Sequence, residues 1–169
     1  MTNKVKSIPE GYHSVTPYLT IDGADKAIEF YKKAFGATVK SRMEMGKNKV
    51  GHAVLQIGDS KIMLSDVFPG SPHKDAKAIG DSPMGICLYV DDVDTVFKKA
   101  LDAGAKVDQK GELQDQFWGD RSGSLIDPFG HRWMIQTHKE DVSDAEMQKR
   151  LDKMMKEFQQ GREAEMQTK

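Results

Sequence analysis

A single cysteine, Cys87, among 169 residues leaves no intrachain disulfide to be made, which fits a reducing compartment. Neither sign of charge is in excess, because 25 Lys and Arg against 26 Asp and Glu give a net charge of −1. A basic stripe able to follow a phosphate backbone is therefore not expected, and neither nucleic acid nor an anionic membrane is an expected partner. No apolar run approaches the roughly 18 residues that span a bilayer, and the opening MTNKVKSIPEGYH holds no hydrophobic stretch of the signal-peptide kind. The expected location is the cytoplasm. Also missing are a glycine-rich phosphate loop, a serine nucleophile elbow and any Cys-x-x-Cys pair, so those chemistries lose their usual signatures. Cys87 has no activating group near it in sequence and is expected to be an inert buried thiol.

What is present is a repeat. Tyr18 to Val39, YLTIDGADKAIEFYKKAFGATV, lies over Cys87 to Val107, CLYVDDVDTVFKKALDAGAKV, with a shift of 69 residues closing to 68. Each copy opens with a short β-rich run ending in an aspartate, Asp22 or Asp91. An amphipathic helix follows, with Ala24, Ala27, Ile28, Tyr31 and Phe35 on one stripe and Val93, Val96, Phe97 and Leu101 on the other. Gly36 and Gly104 stand where such helices stop. Three strands are expected after each helix, at about 37–45, 50–57 and 60–66, then at about 106–113, 120–127 and 131–138. Gly58-Asp59-Ser60 and Pro128-Phe129-Gly130 supply the tight turns. The expected fold is α+β, two tandem βαβββ modules (12–66 and 85–140) forming curved mixed sheets around a cleft. A linker at 67–84 joins them, and a C-terminal helical tail occupies 141–169. Ser143 and Glu146 read as a capping box for that tail, and Met147, Leu151, Met154, Met155 and Phe158 as an apolar stripe for packing on the domain or on a second subunit.

Strand alternation divides the side chains between two faces. Ala53, Leu55, Ile57, Ile62, Leu64, Ile86, Leu88, Val90, Trp133 and Ile135 suit a helix-covered core. The opposite faces then carry Thr16, Tyr18, Thr20, His52, Val54, Gln56, Lys61, Met63 and Ser65 in one module. In the other they carry Gly85, Cys87, Tyr89, Arg132, Met134, Gln136 and His138. A mixed lining of this kind is what a small-molecule cavity needs.

The stretches YLTIDGADKAIEFYKKAFGA, GHAVLQIGDSKIMLSD, LYVDDVDTVFKKALDAGA and DQFWGDRSGSLIDPFGHRWMIQTHKEDVS together resemble the vicinal oxygen chelate superfamily. That group holds glyoxalase I, the fosfomycin- and bleomycin-resistance proteins and the extradiol dioxygenases. The long last block resembles the PhnB-like branch in particular, and the likeness spans roughly residues 12–150. It implies paired βαβββ modules, a homodimer and a small-molecule cleft. In the metal-dependent relatives the ligands come from the first and fourth strands of each module. The matching positions here are Thr16, Met63, Gly85 and Met134, none of them His or Glu, so no metal or other cofactor is expected.

The candidate ligand-binding residues are His52, Gln56, Tyr18, Tyr89, Phe117, Trp118, Arg121, Gln136 and His138. His52 and His138 would act as hydrogen-bond anchors or a general base, against the simpler role of a histidine satisfied by its surroundings. Phe117 and Trp118 would cover a ligand and Arg121 would pair with its carboxylate or phosphate. The alternative is a plug at the cleft mouth or a dimer contact, with a local Asp120–Arg121 ion pair. His131 is expected to hold the hairpin, and His13 and His73 to be solvated. No catalytic residue is assigned. Three functions stay open: sequestration of a small hydrophobic or aromatic molecule, an enzyme using His52, Gln56 and Tyr89 or a non-standard metal site (Cu(I) on Met63, Met134 and Cys87 included), and an assembly module.

Overall fold

The computed structural model describes residues 5–109 and 111–167, with side chains as far as residue 161. In chain order the elements are β1 (Tyr18–Thr20), α1 (Ala24–Phe35), β2 (Thr38–Glu44), β3 (Val50–Ile57), β4 (Ser60–Ser65), α2 (Ala76–Ile79) and β5 (Gly85–Tyr89). There follow α3 (Val93–Asp102), β6 (Lys106–Val107), β7 (Gln114–Asp115), β8 (Asp120–Ile126), β9 (Arg132–His138) and α4 (Asp144–Gln167). The architecture is α+β, with two mixed sheets and a C-terminal helix. The first sheet has strand order β1-β4-β3-β2, and the second β5-β9-β8-β6 with β7 also on β8. In each, the strand before the helix returns parallel to the last strand, Tyr18 beside Met63 and Cys87 beside Met134. The internal repeat is thus kept in register. Among the described residues no helix is long and apolar enough to cross a membrane.

The expected strand at 106–113 is replaced by β6 and β7, both pairing β8. Between them the chain folds back on itself. Gly111 N donates to Asp108 O at 2.9 Å, and both ends of this turn reach Ser124 through main-chain bonds. A turn that uses up these groups cannot also continue a ladder. The linker holds the short helix α2, capped by Asp75, whose carboxylate accepts from Lys77 N and Ala78 N, and closed at Gly80.

Helix starts are satisfied from a distance. Gly23 offers α1 no side-chain cap. Asp66, just past β4, accepts from Gly23 N at 3.1 Å and Ala24 N at 3.4 Å instead, and also from Val50 N and Lys49 Nζ. Burial pushes the Asp66 carboxyl up, but these four donors outweigh it and hold the group below its ordinary value. For α3 the cap is local, Asp92 accepting from Thr95 N, while Thr137 on β9 accepts from Val93 N at 2.9 Å. Ser143 caps α4 by accepting from Glu146 N, though Glu146 itself turns to Arg150. Of the α4 stripe only Met147 and Leu151 are half-buried; Met154, Met155 and Phe158 are exposed.

One core joins the modules. It contains α1 and α3 with the helix-facing sides of both sheets, including Leu55, Leu64, Phe97, Leu125, Trp133 and Ile135. Fully burying each large side chain contributes about 1.5–3 kcal/mol. Phe35 of the first module packs on Trp133 of the second at 4.5 Å between ring centroids, and Tyr31 on Trp133 at 5.3 Å. Tyr31 Oη donates to Asp127 at 2.8 Å, Trp133 Nε1 donates to the same oxygen at 3.1 Å, and Phe129 N and His131 N donate to the other. Burial, with the Asp127 charge beside it, holds the Tyr31 phenol well above its ordinary pKa. The DPFG turn is therefore a buried acceptor for a tyrosine 96 residues away.

Candidate functional site

The register fixes which side chains stand together on the face of the second sheet turned away from the helices. Tyr89 lies beside Gln136, which opposes Ser122; Cys87 lies beside Met134, which opposes Ser124; and His138 opposes Asp120. Cys87 is exposed, not buried as expected. It stands on β5, an edge strand whose outward residues Gly85, Cys87 and Tyr89 are all exposed. Tyr89 is 60% exposed and Met134 38%, whereas Gln136 is buried.

Three of the candidates, Tyr89, Trp118 and His138, meet on Asp120, which the sequence offered only as an ion-pair partner for Arg121. Asp120 is 4% exposed, and its carboxylate takes three contacts. Tyr89 Oη and Trp118 Nε1 each donate to one oxygen at 3.1 Å, and His138 Nδ1 lies 2.7 Å from the other. His138 Nε2 is 3.0 Å from Asp141. The carboxylates of Asp120 first and Asp141 second raise the imidazole pKa, favouring a proton on each nitrogen. Asp120 likewise raises the Tyr89 phenol. A carboxylate at the start of a strand is common in any sequence; only its burial marks this one, and burial comes from the fold.

Local backbone holds this cluster. Gly119 has φ +98°, and its carbonyl accepts from Lys139 N and Glu140 N at 2.9 and 3.0 Å. A Cβ at this position would collide with the Glu140 carbonyl and the Val142 side chain, so only glycine fits. Arg150 of α4 clamps the same corner, bidentate on Glu140 and reaching Phe117 O.

The other candidates are placed elsewhere. His52 opposes Met43 across β2 and β3, with Nδ1 3.4 Å from Tyr18 Oη and ring centroids 5.7 Å apart. Gln56 donates to Gly58 O. Among the described residues no hydrogen bond or ring contact joins His52 or Gln56 to Tyr89. Val54 and Ser65, expected to line the cavity, are buried. Phe117 meets Trp118 edge to face at 4.9 Å. Arg121 does not pair with Asp120. It forms a two-pronged bond to Asp94 at 2.7 and 2.9 Å and a third to Asp115, so its charge is already matched. His131 gives the turn its main-chain N–H; burial lowers its ring pKa, and Nε2 finds no partner among the described residues. His13 and His73 are exposed.

The positions matched to metal ligands suit no divalent ion. Gly85 and Met134 adjoin, since a Cβ on Gly85 would stand 3.1 Å from Met134 Cε, and Met63 flanks Tyr18. Two thioethers, one neutral hydroxyl on Thr16 and a glycine supply neither the N, S⁻ or O donors of Zn²⁺ nor the oxygens of Mg²⁺ and Mn²⁺. Among the described residues, no three His, Cys, Asp or Glu side chains are grouped to hold an ion.

Besides a charged hollow of about 420 Å³ lined by Asp115, Asp120, Arg121, Lys139 and Glu140, two hollows border the second sheet. The larger, about 610 Å³, lies between the modules, lined by Val15, Thr16, Ile57, Ile62, Ile86 and Leu88 among others. The second, about 550 Å³, is formed by Trp118, Asp120, His138, Asp141, Val142 and Met147, with Ser143 at its edge. Tyr89 borders both.

Residues 12–135 match the family model for the glyoxalase/bleomycin resistance protein/dioxygenase superfamily. The chain belongs to this superfamily. A Mycobacterium bovis protein without an assigned function is 40% identical over 138 residues, covering 80% of this chain and 90% of that one. A PhnB protein of Bacillus cereus is 21% identical with a TM-score of 0.55, covering 74% of this chain and 99% of its own. A bleomycin-binding protein solved with bleomycin is 23% identical with a TM-score of 0.54, covering 75% and 99%. At these identities the two structures share the fold with this superfamily member.

Proposed function

We propose that this superfamily member is a cytoplasmic small-molecule-binding protein that uses no metal at the usual positions and encloses a hydrophobic or aromatic molecule. The carrying observation is the inter-module cleft, whose size falls within the range of ligand sites and whose walls are mainly aliphatic and aromatic. Thr16, Ser60 and Cys87 add a few polar contacts, and His13, Asp59 and Lys61 bring titratable groups to one side of the cleft. The poor donor chemistry of Thr16, Met63, Gly85 and Met134 supports binding over metal-assisted turnover, and the solved bleomycin complex offers a precedent on the same fold. The working form is proposed to be a homodimer. Tyr18 and Met43 on one sheet and Tyr89 and Met134 on the other are exposed on the single chain, apolar surface that a second subunit would cover. The single cysteine supports the cytoplasmic placement.

The test is a thermal-shift screen of apolar aromatic compounds against metal-free protein. A ligand that raises Tm without being consumed, and binds more weakly to Tyr89→Ala, is expected. Dependence of stability on a near-stoichiometric metal would overturn the reading. A second reading, a metal-free enzyme, draws on the Asp120–His138 pair beside the Tyr89 hydroxyl, an arrangement suited to proton transfer. Turnover of a bound ligand that His138→Ala abolishes would select it.

A further inference from the structure

The hollow at the C-terminal end of β9 differs in chemistry from the apolar cleft. Its lining holds two carboxylates, Asp120 and Asp141, one imidazole, His138, and no Lys or Arg. The nearest guanidinium groups are committed elsewhere, Arg150 to Glu140 and Glu146 and Arg121 to Asp94 and Asp115. Tyr89 and Trp118 line the hollow with their polar atoms already bonded to Asp120, so the rings are what remains for a ligand to pack on. Asp141 is exposed, and its only bond among the described residues runs from one oxygen to His138. Its other oxygen is open to a ligand. Aromatic rings beside an open carboxylate favour a positive charge, because a cation over a ring face and one at the carboxylate are attracted in the same sense.

We propose that this hollow binds the cationic end of an organic ligand, an ammonium or a comparable nitrogen cation. The proposal rests on the small-molecule reading above and names its ligand class, an apolar or aromatic body carrying a positive charge. Tyr89 borders both hollows, so one ligand can lie with its body in the inter-module cleft and its charge against Asp141. Hydrogen bonds already made to Asp120 fix the rings before the ligand arrives, which lowers the entropy lost on binding.

The site carries a built-in pH response. His138 faces Asp120 on β8, the Tyr89 hydroxyl on β5 and Asp141 in the turn after β9, and the part of α4 that borders the hollow contributes Met147. While protonated, the imidazolium offsets one carboxylate and occupies Asp141. Once it loses the proton, both carboxylates stand uncompensated and Asp141 is released. Cation binding therefore strengthens as pH rises through the His138 titration, and a bound cation expels that proton.

Calorimetric titration with tryptamine and tryptophol, which share an indole and differ in an ammonium against a hydroxyl, tests this. The wild-type protein is expected to prefer tryptamine about tenfold, with the preference growing between about pH 6 and pH 8.5, where an alkylammonium stays charged. Asp141→Asn, an exposed substitution, is expected to bring the two ligands within about twofold while leaving tryptophol unchanged. Equal wild-type affinities, or a tryptamine preference that survives Asp141→Asn, would overturn the cation site. Tryptophol binding alone would also overturn it and leave the small-molecule reading standing. Failure of both indoles overturns the cation site on this probe, whereas the aromatic screen judges the broader reading independently.

Discussion

Asp120 and Asp127 are equally buried, each 4% exposed, yet their removal should cost very different amounts. Asp127 accepts from Tyr31 Oη, Trp133 Nε1, Phe129 N and His131 N at 2.8–3.1 Å. Tyr31 is wholly buried and Trp133 is 1% exposed, so in Asp127→Ala these two side-chain donors have no water to turn to. Each stranded buried donor costs about 1–3 kcal/mol, which puts the loss at roughly 3–5 kcal/mol. Asp120 also takes three partners, but Tyr89 and His138 are exposed and Trp118 is half-buried. Those groups can rehydrate, and Asp120→Ala should lose only about 1–2 kcal/mol. At about 2–4 °C per kcal/mol for a chain of this size, Tm should fall by about 10 °C in the first variant and about 4 °C in the second. Differential scanning calorimetry at neutral pH makes the comparison. Equal losses, or a larger loss at Asp120, would refute the idea that the exposure of the stranded donors sets the cost.

Gly119→Ala should destabilise by at least about 2 kcal/mol, from positive-φ strain plus the collision with Glu140; a urea midpoint unchanged from wild type would contradict the close approach. The His138 ring, followed by NMR, should titrate above its ordinary 6.5, and the midpoint should drop in Asp120→Asn. Because its folded pKa is raised, the stability His138 contributes is fully present below about 6.5 and lost as pH rises through the folded value; the Tm gap between wild type and His138→Gln should close accordingly. Asp66 shows the opposite sign. Its carboxyl is held below 3.8, so its contribution is present above that value and lost as acid carries the pH through the depressed one. Asp66→Asn should therefore flatten the acid limb of a stability–pH curve. Elemental analysis of protein purified without chelator should find no stoichiometric zinc, manganese or nickel, and metal lost on mutating Met63 or Met134 would reverse that expectation.

Most of the fold was legible because periodicity is local. The helical stripes through Tyr31 and Phe97 and the alternation in GHAVLQIG mark buried faces without reference to any other segment. The strand expected at 106–113 failed because main-chain bonding between Asp108, Gly111 and Ser124, not side-chain pattern, decides where pairing stops. Cys87 was expected to be buried although alternation put it on the right face, because alternation does not tell an edge strand from a central one. The site was legible in part. Tyr89, Trp118 and His138 stood out as residue types, but Asp120, which joins them, lies two residues from Trp118 beside an arginine. The obvious pairing there is the wrong one, because Asp94 on α3 claims that arginine across the sheet.

The broken strand has a consequence for how the protein meets other molecules. The sheet edges at β2 and β6 are spoiled as templates, while β1 and β5 form the opposite edges. Along β2 the register slips twice, between Val39 and Ser41 and between Met43 and Glu44, and Lys40, Arg42 and Glu44 place charge along it. On the far side, β6 and β7 are two residues each and offer no unbroken ladder to copy. An incoming strand would gain few main-chain bonds at either border, and such features are how natural sheets avoid runaway edge-to-edge growth. At those two edges a chain that exposes methionine and tyrosine on its sheet surfaces is steered from strand addition toward face-to-face contact, which can close on itself and stop.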